Sequence, residues 1–273
     1  MLSIIISSYN EDYFNQLSIN IKETIGENFE YEIIQQWNPG TMGICQAYNI
    51  GGDQAKYDNL LFIHEDIIFE VNNWGKILID YLKIDNIGCV GIAGSSTKTK
   101  FPIGWWDMRN SIFLNLNQIT ESRGVESYRI ENDQEVKILD GVFIAVKKVI
   151  WKNNKFNINN NSFHGYDIEF SLKISQLYTN IVTNKILVTH FSEGKLKKDW
   201  FLRLIKIYSE NNYHNIKTTS KEVKYFINYL NVFSFSRKEK FNIFFKFYNP
   251  FNFNTLENLR ILKYFIHSEM NKK

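Results

Sequence analysis

Over the first 93 residues, short strand-like apolar runs alternate with stretches whose apolar residues recur at helical spacing, and this alternation constrains the fold more than any other feature. Ile4 to Ser7 reads as a strand, and Phe14, Leu17, Ile21 and Ile25 then mark one face of a helix, with Asn10 and Asp12 available as caps. Tyr31 to Gln35 reads as a second strand and Asn38-Pro39-Gly40 as a turn. Ile44 to Lys56 follows as a helix whose Ala47, Gly51 and Ala55 permit close packing, and Leu60 to His64 as a third, buried strand. A helix through Trp74, Ile77, Leu78, Tyr81 and Leu82 leads to the buried run Ile87 to Ala93. The pattern predicts a parallel sheet covered by helices on both faces, receiving its ligands beyond the carboxyl ends of the strands.

Residues 94–110 read as loop, followed by strands through Ile112 to Leu116, Ser127 to Ile130 and Val136 to Val146. An Asn-rich loop (Asn153 to Asn161), a helix (Tyr166 to Leu177) and a last strand (Ile181 to Phe191) complete this part. The character then changes. Trp200, Leu204 and Ile207, and later Val223, Phe226, Ile227 and Leu230, give amphipathic helices interleaved with Lys and Arg. The expected boundary lies near Lys195, with an α/β domain over residues 1–195 and a basic, aromatic-rich helical extension over 196–273.

A chain of 273 residues, 44% hydrophobic, can bury a sizeable core, and its formal charge of +3 is too small to mark a nucleic-acid binder. Its two cysteines, Cys45 and Cys89, fall in helix- and strand-like segments, which favours a reducing compartment over disulfide staples. Signal-peptide features and apolar runs of membrane-spanning length are missing. The expected location is cytoplasmic, free or peripheral on the inner face of the membrane.

Four constellations carry chemistry. His64-Glu65-Asp66 follows a buried strand, at the sheet rim; it reads either as a solvated acidic turn or as oxygen ligands for Mg2+ or Mn2+. In His164-Gly165-Tyr166-Asp167-Ile168-Glu169 a loop enters a helix, so its acids serve either the helix N-terminus or catalysis. His190-Phe191-Ser192-Glu193-Gly194-Lys195 combines an imidazole, a small-residue turn and nearby ammonium groups, which together suit a metal-bound diphosphate. Trp105 and Trp106 either fill core or offer flat faces to sugar rings, with Asp107 accepting from sugar hydroxyls.

In order along the chain these segments resemble family 2 glycosyltransferases, and most closely a small bacterial glycosyltransferase-like group related to a domain of streptomycin-biosynthesis proteins. The resemblance covers roughly residues 1–195 and implies the GT-A fold, a Rossmann-like mixed, mainly parallel sheet, here with a C-terminal helical extension. It implies that Ser7, Ser8, Tyr9 and Asn10 form the nucleotide-contacting turn, and that Asn49 lies on the helix leading to the Asp-x-Asp position, His64-Glu65-Asp66. It implies further that Val90 to Gly94 with Trp105 and Trp106, and Asp140 and Gly141, frame donor sugar and acceptor, alongside Asp107 and His164. Asp167 takes the place of the catalytic base of inverting members, and His190, Ser192 and Lys195 lie in the late metal- and diphosphate-binding turn.

His64 stands where the first aspartate is usual, so the metal leans on Asp66 and His190, with His64 and Glu65 nearby. The base-reading aspartate after the second strand has no counterpart among Gln35, Gln36, Trp37 and Asn38. The expected activity is inverting sugar transfer from a nucleotide donor, UDP-linked, to a glycan, lipid-linked or small-molecule hydroxyl, dependent on Mn2+ or Mg2+ and serving polysaccharide biosynthesis. A non-catalytic nucleotide-sugar- or glycan-binding module is the competing class. A nucleotidyltransferase is disfavoured because Ser7-Ser8-Tyr9-Asn10 stands where its Gly-rich loop belongs. For the extension two roles stand open: packing on the catalytic domain or a second subunit, and contact with an anionic membrane surface.

Overall fold

The computed structural model describes residues 1–192, 194, 196–210 and 218–270. The chain divides into two units, Met1–Thr97 with Asn110–Gly194, and Lys98–Arg109 with Lys195–Lys273. Where the sequence suggests a continuous first domain, residues 98–109 are withdrawn from it. The reason lies in their side chains. Phe101 is fully buried against Phe226, and the buried Glu222 carboxylate accepts the N–H groups of Lys100 and Phe101.

In the first unit the chain forms β1 (Leu2–Ser8), α1 (Glu11–Thr24), β2 (Tyr31–Trp37), α2 (Ile44–Gln54), β3 (Asn59–Ile63), β4 (Ile67–Phe69), α3 (Trp74–Leu82), β5 (Ile87–Gly91) and β6 (Ala93–Ser95). After residues 98–109 come β7 (Ile112–Leu114), β8 (Leu116–Thr120), β9 (Gly124–Tyr128), β10 (Gln134–Val136), β11 (Ile138–Leu139), β12 (Phe143–Lys147), α4 (Lys148–Asn153), α5 (Tyr166–Ile174), β13 (Thr179–Val182) and β14 (Val188–Phe191). Among the described residues, seven strands make the central sheet in the order β10-β13-β5-β12-β3-β1-β2. β1 is parallel to β2 and β3, and β5 to β13, while β12 runs antiparallel between β3 and β5. The sheet is therefore mainly parallel with one reversed inner strand.

The two longest expected strands are broken. The run 136–146 breaks at Asp140, whose Oδ1 accepts the Val142 N–H at 2.9 Å, so that β11 joins β6 and β12 enters the central sheet. The run 181–191 breaks after Val182, where Thr183 Oγ1 accepts the Lys185 N–H and forms a turn. β14 beyond it leaves for a four-stranded sheet, β4-β14-β8-β9. Core formation follows the apolar runs: Ile4 to Ile6 and Leu60 to Ile63 are fully buried. α2 lies close on β1 because Gly51 has no side chain; a Cβ there would meet Ile5 Cγ2 at 2.4 Å.

The second unit consists of the segment 98–109 with α6 (Lys198–Glu210), α7 (Ser220–Val232), α8 (Arg237–Phe247), a 3₁₀ turn at Pro250–Asn252 and α9 (Thr255–Met270). Its core is aromatic: Phe201, Phe226, Phe244 and Phe265 are buried, and Phe244 stacks on Phe265 with ring centres 4.2 Å apart. A capping box between Ser236 and Glu239 fixes the start of α8. Among the described residues, no helix is long and apolar enough to cross a membrane.

Candidate functional site

The buried run of β3 carries the chain to the sheet rim, where His64, Glu65 and Asp66 bridge to β4. The antiparallel pairing of β4 with β14 sets His190 opposite Ile67, and the Phe191 N–H donates to the Asp66 carbonyl at 2.9 Å. Sheet register thus joins residues 124 positions apart. Among the described residues, His64, Asp66 and His190 form one group whose potential ligand atoms all lie within 4.8 Å of one another. His64 Nδ1 is 3.8 Å and His190 Nε2 3.5 Å from Asp66 Oδ1.

The hydrogen-bond network fixes which ring nitrogen offers a lone pair. Gln118 on β8 donates its Nε2 to the Ser192 carbonyl at 2.6 Å, which turns its Oε1 toward His190 Nδ1 at 3.1 Å. His190 must then carry its proton on Nδ1. Its buried Nε2 has no hydrogen-bond partner among the described residues and keeps a lone pair facing Asp66. On the other side, the Tyr166 hydroxyl gives its proton to the Gly141 carbonyl at 3.1 Å and so accepts from His64 Nε2 at 2.9 Å. That leaves the lone pair of His64 on Nδ1, again facing Asp66. Burial pushes the Asp66 carboxyl up, but the neighbouring His190 and His64 rings outweigh it and hold its pKa below the usual range. Burial holds His64 below its ordinary value, against the opposing pull of Asp66. An orphaned buried imidazole nitrogen, a second imidazole lone pair and an ionised carboxylate at one point fit a divalent transition metal better than a solvated acidic turn.

Glu65 has a different task. It is 5% exposed, and its carboxylate accepts the N–H groups of Tyr9 and Asn10 at 3.2 Å. It therefore closes the turn from β1 to α1 rather than facing the other two residues of its motif. In the same turn Asn10 Oδ1 caps α1 by accepting from the N–H groups of Asp12 and Tyr13. Ser8 is buried and its Oγ accepts from Gln35, Ser7 is half-buried, and Tyr9 is exposed. Asn49 is buried with both ends of its amide bonded to the Phe156 backbone.

A second pair of carboxylates lies in the same unit. Asp167 occupies the first turn of α5, after Gly165 in the left-handed conformation, and its Oδ2 accepts the Gly141 N–H at 3.1 Å. Burial, then the neighbouring Asp140, push its pKa up to about 7. Gly141 has no room for a side chain, because a Cβ would meet the Tyr166 hydroxyl oxygen at 2.0 Å. His164 is half-buried and its carbonyl accepts from Asn160. Lys195 lies outside the described residues.

Trp105, Trp106 and Asp107 belong to the second unit. There Trp105 is buried, Trp106 stacks on Trp200 at 5.5 Å, and Asp107 accepts from the Tyr229 hydroxyl at 2.9 Å. Sequence reasoning missed Gln118 entirely. Nothing local marks it, since its partnership with His190 arises only from the parallel pairing of β8 with β14.

A family profile described as "Glycosyltransferase like family" matches residues 3–223. No curated protein matches the chain significantly. In fold, the chain is similar to a solved structure titled as GalNAc-T7 with UDP, GalNAc and Mn2+, with a TM-score of 0.50 and 12% identity. That alignment covers 99% of this chain and 56% of the other, so the chain spans little more than half of that structure. A second similar structure is S. aureus TarS residues 1–349 in complex with UDP, with a TM-score of 0.49, 14% identity, and coverage of 98% and 80%.

Proposed function

The chain belongs to the glycosyltransferase-like family, and from that premise we propose that it transfers a sugar, with inversion, from a nucleoside-diphosphate donor to a hydroxyl acceptor. The observation that supports this most is the buried, unpartnered His190 Nε2 aimed at Asp66, with the His64 Nδ1 lone pair beside it. Asp66, His190 and His64 are the residues that would hold Mn2+ or Mg2+, two nitrogens favouring Mn2+. Bound there, the cation would supply positive charge to the departing diphosphate. UDP-sugars are the donors to try first, since the GalNAc-T7 structure contains UDP and Mn2+.

Asp167 is the proposed general base. With its pKa raised to about 7, it takes a proton near neutral pH more readily than an ordinary carboxylate does. The acceptor hydroxyl gives its proton to Asp167 as its oxygen bonds to the anomeric carbon. The bond from that carbon to the diphosphate oxygen breaks, and its electron pair leaves with the nucleoside diphosphate. Gly141, through its N–H, holds the Asp167 carboxylate in place. Glu65 keeps the β1–α1 turn closed, leaving Tyr9 and Ser7 as its groups for nucleotide contact.

The test is metal-dependent hydrolysis of a panel of nucleotide sugars by wild type and Asp167→Asn, with donor binding followed by calorimetry. Slow hydrolysis that needs metal and disappears in the variant supports the reading. Metal-dependent binding with no turnover, even with acceptors supplied, would make the chain a non-catalytic nucleotide-sugar module instead.

A further inference from the structure

The second unit also leaves large apolar side chains exposed. α8 and α9 pack on each other through the Phe244–Phe265 stack, yet Phe241 and Phe245 on α8, Phe251 in the 3₁₀ turn, and Leu256, Leu259 and Ile266 on α9 remain exposed. Phe251 is 95% exposed and Leu259 62%. On α9 the exposed apolar positions 256, 259 and 266 share one side, with Lys263 in the gap between them. Scattered apolar residues on a surface need no account, but six on two adjacent helices and the turn joining them do.

Charge accompanies this apolar surface. Arg237, Lys238 and Lys246 on α8 and Arg260 and Lys263 on α9 are exposed. Two acids of these elements are engaged at helix starts: Glu239 accepts from the Ser236 N–H, and Glu257 from the Asn254 N–H. Residues 196–273 carry fifteen Lys and Arg against six Asp and Glu, a formal +9, whereas residues 1–195 carry seventeen against twenty-three, −6. A chain almost neutral as a whole is thus strongly polarised along its sequence. Large apolar side chains interspersed with exposed Lys and Arg complement a surface that is apolar beneath and negative at its face.

We propose that the outward side of α8, the 250–252 turn and α9 docks on an anionic phospholipid surface, with Phe251 and Leu259 entering the headgroup region and Lys238, Lys246, Arg260 and Lys263 meeting lipid phosphates. The contact is peripheral and independent of any catalytic role of the first unit.

Flotation of the full chain with vesicles of phosphatidylcholine alone, and of phosphatidylcholine mixed with phosphatidylglycerol, tests this. Binding is expected only to the anionic vesicles and is released as salt is raised. Phe251→Ser should weaken it about tenfold, and Lys246→Gln and Lys263→Gln about fivefold each. All three positions are exposed, and unchanged thermal melting confirms that the variants fold. No flotation at low salt, or flotation unaffected by these substitutions, overturns the proposal. So does a concentration-dependent dimer that Phe251→Ser dissolves, which assigns the face to a second copy. Donor hydrolysis in vesicle-free buffer reads the first unit separately, so the two readings can fail independently.

Discussion

Asp66 and Asp107 are both partly buried acids next to rings, one in each unit, and their partners separate them. In the second unit the Asp107 carboxyl receives the Tyr229 hydroxyl, and burial pushes its pKa up. It is provided for by its own scaffold. In the first unit Asp66 faces two imidazoles whose protons point away from it, toward Gln118 and Tyr166, and it is held ionised. Residue type does not distinguish such carboxylates. Which of the surrounding polar groups still has an unmatched lone pair does.

Substitutions at four positions test this contrast. The largest effect belongs to Asp167→Asn, expected to lower turnover about 10²- to 10⁴-fold while donor affinity holds. In wild type the rate should rise with pH through about 7 as the base ionises. The same carboxyl gives a sign for stability. Its folded-state pKa lies above the unfolded value, so ionisation costs stability as pH climbs from about 4 toward 7. Asp167→Asn should therefore melt higher than wild type at pH 8 and the same near pH 4, by calorimetry. A rate flat across neutral pH would remove Asp167 as base.

His190→Ala comes next. Removing a ligand should weaken Mn2+ binding to the otherwise intact chain by more than about a hundredfold, beyond what loss of an outer partner costs. Gln118→Leu frees the His190 ring to change tautomer, and about a 10- to 100-fold loss of Mn2+ affinity is expected, with recovery in Gln118→Glu, whose carboxylate again accepts from Nδ1. If both Gln118 variants bound metal like wild type, the tautomer argument would fail. Asp107→Asn should be the mildest, costing about 1 kcal/mol of stability with KM for donor and acceptor unchanged. A large rise in KM would instead make Asp107 a sugar ligand.

The fold could be read from the chain because β3 and β5 are near-continuous apolar runs and α2 carries its small residues at helical spacing, features that local sequence dictates. The breaks at Asp140 and after Val182 are hidden, since Asp-Gly-Val and Thr-Asn-Lys sit inside longer apolar stretches and turn on single side-chain bonds, Asp140 to the Val142 N–H and Thr183 to the Lys185 N–H. Within the candidate site, Asp66 and His190 stand out as candidates by their motifs, and Asp167 by its helix start. The division of labour inside His64-Glu65-Asp66 could not. Three adjacent residues at a strand end point in different directions, and only the structure shows that Glu65 turns back to the β1–α1 turn while its neighbours face His190. The indole rings of Trp105 and Trp106 read equally well as core or as sugar platform, and the structure gives them partners inside the helical unit.

On the proposed reading, His64 Nδ1, Asp66 and His190 Nε2 together hold a divalent cation. Electron spin echo spectroscopy of Mn2+ bound to the protein tests it without any substrate. Two directly coordinated imidazole nitrogens should modulate the echo, falling to one in His190→Ala; an Mn2+ signal with no nitrogen coupling in the wild-type protein would contradict the account.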